Sequence, residues 1–254
     1  MTHPRIYFPR CLDMNELCRI SGEQRHYLKN VLRMKTGETI VLFDGRGSEY
    51  EGIIRQESED DLVVEVVSRS AAPGSNSVKI TLCQSIPKAA KMDFIIQKGT
   101  ELGVHRIIPF ISGRSVPKIS GDKAHLKIER WRKIALEACK QSRRAHLPVI
   151  DEILDFNQMI AQISWDSLKI ILWEEEESRG LKQALADESG RGAEEIVIAI
   201  GPEGGFTREE ITKATGLGFI SAGLGRCILR LETAALAALT IVQYEKGVIG
   251  SLNS

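Results

Sequence analysis

The chemistry open to this sequence is concentrated where glycine, glutamate and arginine fall together. Residues 201–205 read Gly201-Pro202-Glu203-Gly204-Gly205, and residues 223–234 read Gly-Leu-Gly-Arg-Cys-Ile-Leu-Arg-Leu-Glu-Thr-Ala. Gly201, Gly204 and Gly205 allow positive φ and let backbone N–H groups approach a ligand closely. Glu203 adds a carboxylate to the first turn, and Arg230 with Glu232 adds opposite charges beside the second. With Gly225 in a second turn facing the first, such stretches can wall a small-molecule pocket with main-chain donors and a few ionised side chains. A tight strand-to-helix connection without a ligand would use the same glycines.

A site of this kind needs rigid elements behind it. Residues 196–200 are short, apolar and partly β-branched, as in a strand covered on both faces of a parallel sheet. Thr207 and Glu210 have capping-box spacing, so a helix starts there. A glycine turn between the two lies at the carboxyl end of a strand, the usual place for a ligand in an α/β protein. Around it the pattern predicts strands over 78–86, 104–111, 168–173 and 219–222, and helices over 91–102, 123–144, 178–187 and 231–245. This alternation implies a mostly parallel sheet with helices on both faces. In helix 123–144, Ile128, Trp131, Ile134, Ala135, Ala138, Cys139 and Ser142 share the apolar face, and Lys127, Arg130, Lys133, Lys140 and Arg144 fall opposite.

The first 70 residues read differently. Strands are expected over 38–43, 50–54 and 62–67, with Asp44-Gly45 as a turn and a short helix over 22–34 that turns Tyr27, Leu28, Val31 and Leu32 inward. Short strands with one helix suggest a small barrel of a kind that often presents a nucleic acid-binding surface. The expected division is a first domain over 1–70, a small, polar linker over 71–77 broken by Pro-Gly, and a second domain over 78–254.

Composition narrows the class. The chain has 254 residues, 43% hydrophobic and 27% charged, with formal net charge zero. No apolar run reaches the roughly 18 residues of a membrane span, and the N-terminus lacks a signal-peptide core, so a cytoplasmic location is expected. The five cysteines form no C-x-x-C pair, which points to reduced thiols, and the five histidines show no zinc-binding spacing. Charge is segregated: residues 114–144 hold ten Lys/Arg against three acids, and residues 151–195 hold twelve acids against four bases. The basic stretch can serve a polyanion or be a solvated face.

The two glycine-rich stretches, with Gln97-Lys98, Glu101-Leu102-Gly103-Val104, Gln141-Ser142, Arg144 and Pro148, and with Arg5-Ile6-Tyr7 and 31–34 near the start, resemble the bacterial small-subunit ribosomal RNA uridine-N3 methyltransferases, RsmE, of the SPOUT superfamily. The resemblance runs nearly end to end. It implies a SPOUT-type α/β fold with a C-terminal trefoil knot, an exception to the rule that chains do not thread themselves, plus an N-terminal PUA-like β-barrel that grips RNA. It also implies S-adenosylmethionine in the knot, a homodimer, and N3 of one uridine of 16S ribosomal RNA as the target. The implied cofactor walls are Leu172, Trp173 and Glu174; Gly201, Pro202, Glu203, Gly204 and Gly205; and Leu224, Gly225, Ile228, Leu229 and Arg230. Ile228 and Leu229 would offer the adenine an apolar slot or simply pack in the core. The implied RNA contacts are Arg5, Arg33, Lys98, Arg114, Lys127, Arg130, Lys140 and Arg144. Two positions depart from the family pattern: Cys227 replaces a usual arginine, and Gly113 stands where an acid often precedes Arg114-Ser115.

Methylation at uridine N3 must remove a proton and stabilise negative charge spreading onto O2 and O4. Arg230 is the candidate for that stabilisation, with Arg114 and Arg144 on phosphates. Glu203 or Glu232 is the candidate proton acceptor, or orients a neighbour, and Arg230 can instead be a structural partner of either. No metal is required, because the methyl is already activated on the cofactor's sulfonium. A ribose 2′-O-methyltransferase of the same superfamily would share the pocket, and a non-catalytic RNA-binding assembly factor would share the fold. A dinucleotide enzyme lacks support, since no G-x-G-x-x-G follows an early strand.

Overall fold

A computed structural model describes residues 3–71, 78–88, 90–115, 119, 121–187 and 192–250. It divides into two compact units, residues 1–75 with 139–147, and residues 76–138 with 148–254. The expected linker therefore lies almost wholly outside the described residues.

In the first unit, β1 (Arg5–Tyr7), β3 (Thr39–Phe43), β4 (Ser48–Glu57), β5 (Asp61–Ala71) and β2 (Leu17–Ser21) form one sheet in the order β1-β3-β4-β5-β2. β1 runs parallel to β3, and the remaining pairs are antiparallel. The end strands β1 and β2 share no ladder among the described residues. Inward-facing Ile40, Leu42, Tyr50, Ile54, Leu62, Val64 and Val66 make its core. The helix expected over 22–34 needs correction. An α-turn, α1 (Gly22–His26), gives way to a π-type turn over Tyr27–Val31, closed by the Leu32 amide donating to the Tyr27 carbonyl at 3.0 Å. The wider turn takes residues 31 and 32 off the face of Leu28, so Leu28 is buried while Tyr27, Val31 and Leu32 are exposed. Residues 139–147 join this unit through the Leu147 amide, which donates to the Gly45 carbonyl at 3.0 Å.

The second unit is a parallel sheet. β6 (Lys79–Ser85) lies between β11 (Glu195–Ile200) and β7 (Arg106–Ile111). β10 (Leu168–Leu172) pairs on the far side of β11, and β12 (Ile220–Ala222) completes that edge. Short strands β8 (Val149–Ile150) and β9 (Leu154–Asp155), both unforeseen, extend the edge at β7. The helices are α2 (Lys91–Glu101), α3 (Asp122–Ser142), the unforeseen α4 (Phe156–Ala161), α5 (Leu181–Ala186), α6 (Arg208–Gly216) and α7 (Leu231–Glu245). β10 is buried throughout, and β11 from Ile196 to Ile200, as a strand covered on both faces should be. Each fully buried isoleucine contributes roughly 1.5–3 kcal/mol. The apolar face of α3 is as expected at Ile128, Trp131, Ala135, Ala138 and Cys139, with Ile134 and Ser142 only half-buried. In α7, Leu239 and Val242 belong to the unit's own core.

Candidate active site

β6, β11, β10 and β12 are parallel neighbours, so their carboxyl ends share one edge of the sheet. The chain leaving each strand gathers there around a cleft of about 560 Å³, a size suited to a small-molecule ligand. Leu172, Trp173 and Glu174 come from the end of β10; Gly201, Pro202, Glu203, Gly204 and Gly205 from the turn after β11; Leu224, Gly225, Ile228, Leu229 and Arg230 from the stretch after β12. The structure thus brings three distant stretches to one cleft. Lys91, Arg226 and Cys227 line it too and were not foreseen. Lys91 had a legible signal, because it opens the helix that follows β6, whose end abuts that of β11.

The turn after β11 is held from several sides. Gly205 has φ of +69°, and its amide donates to the Pro202 carbonyl at 2.9 Å. A Cβ there would fall 1.7 Å from Glu174 Oε1, so the glutamate occupies the space that only glycine leaves. Arg114 Nη1 donates to the Gly204 carbonyl at 2.8 Å. Phe206 is buried and stacks on Phe110 with centroids 6.2 Å apart, anchoring the turn in the core. The capping box is present: Glu210 N donates to Thr207 Oγ1 at 3.2 Å, and Thr207 N to Glu210 Oε2 at 2.9 Å. The buried Glu210 carboxylate also accepts from Ser112 Oγ and Gly113 N, each at 2.9 Å to Oε1. A Cβ at Gly113 would lie 3.7 Å from that same oxygen, so an acid at this position would bring a second carboxylate against Glu210.

The stretch after β12 is open by contrast. Ile228 is 90% exposed, which removes core packing as its role, and Leu229 is half-buried. Among the described residues, no backbone amide from 224 to 230 is bonded within the chain. Arg230 is exposed and precedes the first residue of α7.

Lys91 Nζ lies 3.2 Å from Glu232 Oε2 and 3.6 Å from Glu203 Oε1. The shorter contact is an ion pair lying off the hydrogen-bond direction, since that oxygen has no hydrogen-bond donor among the described residues. Glu203 Oε1 also accepts from the Lys88 amide at 3.1 Å. The Glu232 carboxyl is held below the usual range, first by its own backbone amide at the start of α7, then by Lys91 and Arg230.

Two domain families match this chain. Residues 74–243 match the one described as RNA methyltransferase domain, and residues 20–67 the one described as RNA methyltransferase PUA domain. The chain is 35% identical over 229 residues to the ribosomal RNA small subunit methyltransferase E of Bacillus subtilis, covering 89% of each. The chain belongs to the ribosomal RNA small subunit methyltransferase E family. A relative from Buchnera aphidicola is 32% identical over 240 residues, covering 94% of this chain and 92% of that one. A crystal structure of a ribosomal RNA small subunit methyltransferase E from Neisseria gonorrhoeae, bound to S-adenosyl methionine, matches with a TM-score of 0.84 at 32% identity, covering 96% and 98% of the two chains. Within this family's fold, the N-terminal unit is the PUA-like domain and the C-terminal unit the α/β domain.

The expected RNA contacts of this methyltransferase E family member are spread over both units. Arg5, Arg33, Lys140 and Arg144 belong to the first, and Lys98, Arg114, Lys127 and Arg130 to the second. Several are committed within the chain. Arg5, its side chain 10% exposed, pairs with Glu49 at 2.7 Å and lies over the Phe43 ring. Arg130 binds Asp93, and Lys98 binds both oxygens of Glu101. Arg144 is half-buried, and loss of solvent lowers its pKa while leaving it charged. Arg33 and Lys127 are exposed, with no side-chain partner among the described residues.

Among those residues, no helix is long and apolar enough to cross a membrane, and no group of three or more His, Cys, Asp or Glu is placed to hold a metal.

Proposed function

We propose that this chain is an S-adenosylmethionine-dependent methyltransferase acting at N3 of a uridine in 16S ribosomal RNA. The observation that carries the reading is the cleft itself: both glycine-rich turns and the end of β10 line one space in a chain of this family. The cleft fits the cofactor. Trp173 Nε1 is a buried donor without a partner among the described residues, and Leu172, Leu229 and Ile228 give apolar surface for a purine. Residues 172–174, 201–205, 224–225 and 228–230 would hold it. When bound, it supplies a methyl group on a positively charged sulfur.

The chain's own groups handle the target base. As uridine N3 gains the methyl it gives up its proton, and Glu203, which lines the cleft, accepts it. Arg230 faces the negative charge spreading onto O2 and O4. Glu232, tied to Lys91, orients rather than accepts. Arg33 and Lys127, exposed and without a side-chain partner among the described residues, bind phosphates first; Arg5, Lys98, Arg114, Arg130, Lys140 and Arg144 contribute where RNA displaces their present partners.

The remaining parts of the reading follow. The chain after β12 runs beside the loop after β10, with the Gly223 amide donating to the Arg179 carbonyl at 2.9 Å and the Leu181 amide to the Gly223 carbonyl at 3.0 Å; the closeness of these two segments is the support for a trefoil knot. Exposed Tyr244 on α7 and Ile249 beyond it support a homodimer. Residues 1–70 grip RNA, residues 78–254 carry the transferase, and the protein works in the cytoplasm.

The test is transfer of labelled methyl from S-adenosylmethionine to small ribosomal subunits lacking their native modification, then nucleoside digestion and mass analysis. Labelled 3-methyluridine is expected. A 2′-O-methylated nucleoside would replace the reaction by its ribose counterpart, and binding of cofactor and RNA with no methylated product would leave an assembly factor.

A further inference from the structure

We propose that Lys91 is a positioning residue for this reaction, holding Glu203 in the cleft by tethering it to Glu232 at the start of α7. The inference rests on the methyltransferase reading above. One ammonium lies 3.6 Å from the Glu203 carboxylate and 3.2 Å from the Glu232 carboxylate, so three elements separated in sequence meet at a single cation. Lys91 is also the first residue of α2, where the positive end of the helix disfavours a cation. Two carboxylates offset that local cost, so what sets the residue here is the cleft rather than the helix.

Without Lys91, Glu203 and Glu232 would be like charges on adjoining walls, and Glu203, already partly exposed, would turn to solvent. The Lys88 amide alone would still restrain it. The other charged groups around this turn are Arg230 and Glu232 from the start of α7, Arg226 from the stretch after β12, Glu174 against Gly205, and Arg114 on the Gly204 carbonyl. Arg230 is a cation there, but it is exposed and leaves the tether to Lys91. Glu232 is kept ionised by its own helix end as well as by Lys91, which suits an anchor and leaves Glu203 as the proton acceptor. The N3 proton passes to Glu203, the N3 lone pair forms the bond to the methyl carbon, and the carbon–sulfur bond breaks, its electron pair leaving on a neutral thioether.

The test compares the full-length wild type with Lys91→Met and Lys91→Arg. Turnover and KM on unmethylated small subunits are measured, with S-adenosylmethionine affinity by calorimetry and, in the protein alone at one fixed pH, the ¹³C chemical shift of the Glu203 carboxyl, assigned with Glu203→Gln. Lys91→Met should lower kcat by about 10–100-fold with cofactor affinity changed less than about threefold. The Glu203 carboxyl resonance should move in this variant, because the cation beside it has gone. Lys91→Arg should restore most of the turnover. Wild-type kcat in Lys91→Met would overturn the proposal, as would loss of activity and melting temperature in both variants with the Glu203 resonance unmoved. If the wild type forms no 3-methyluridine, the functional reading fails, and the carboxyl resonance still decides whether Lys91 governs Glu203.

Discussion

The two glycine turns that face each other across the cleft are built to opposite plans. The 201–205 turn is fixed before any ligand arrives: Glu174 fills the space over Gly205, Arg114 ties the Gly204 carbonyl, and Phe206 plugs into a buried aromatic cluster. The 224–230 stretch has no backbone amide bonded within the chain among the described residues, and it shows Ile228 to solvent. One wall is preorganised; the other leaves its amides open to take their order from a ligand.

The largest effect that can sharpen this contrast comes from Gly205→Ala. The new Cβ would push the Glu174 carboxylate aside and strain a φ of +69°, so cofactor affinity should fall by about 10–100-fold in calorimetry. Gly225→Ala also meets a positive φ, +118°, but opens into free space, so cofactor affinity in the same calorimetry should fall by only about threefold. Equal effects at both sites would break the comparison. Next in size, Glu210→Ala removes the acceptor of three donors behind the rigid wall and should destabilise the protein by about 2–4 kcal/mol.

Smaller again, Ile228→Ala should weaken cofactor binding by about tenfold while leaving the melting temperature unchanged, since the side chain has no core to lose. The smallest effect is in pH. The folded state holds the Glu232 carboxyl below its ordinary value of 4.5, so this stabilisation is complete above that pH and disappears as pH falls through the lower folded value. Glu232→Gln should show a shallower loss of melting temperature below about pH 4.5 than the wild type.

What could be read from sequence divides along the same line. The fixed wall is local: strand, glycines, Thr207 and Glu210 lie within one short stretch, and hydrophobic period with cap spacing specifies them. Helix α7 and the parallel sheet were legible for the same reason. The charge assignments were not local. Arg5 is committed to Glu49 across the β1 and β3–β4 ladders, and Arg130 to an aspartate on another helix, partnerships that composition cannot reveal. Lys91 escaped notice because its partners Glu203 and Glu232 are far along the chain and meet it only once β6 and β11 are adjacent. The π-type turn at 27–31 was hidden because an apolar spacing compatible with an α-helix does not disclose an i→i+5 bond.

Hydrogen–deuterium exchange with and without S-adenosylmethionine tests the account most directly. The Ile200 and Gly205 amides should exchange slowly in both states, whereas residues 224–230 should exchange fast alone and become strongly protected with the cofactor. Fast exchange at Gly205 in the protein alone, or 224–230 staying fast when the cofactor is bound, would contradict a preformed wall opposed by one that takes its order from the ligand.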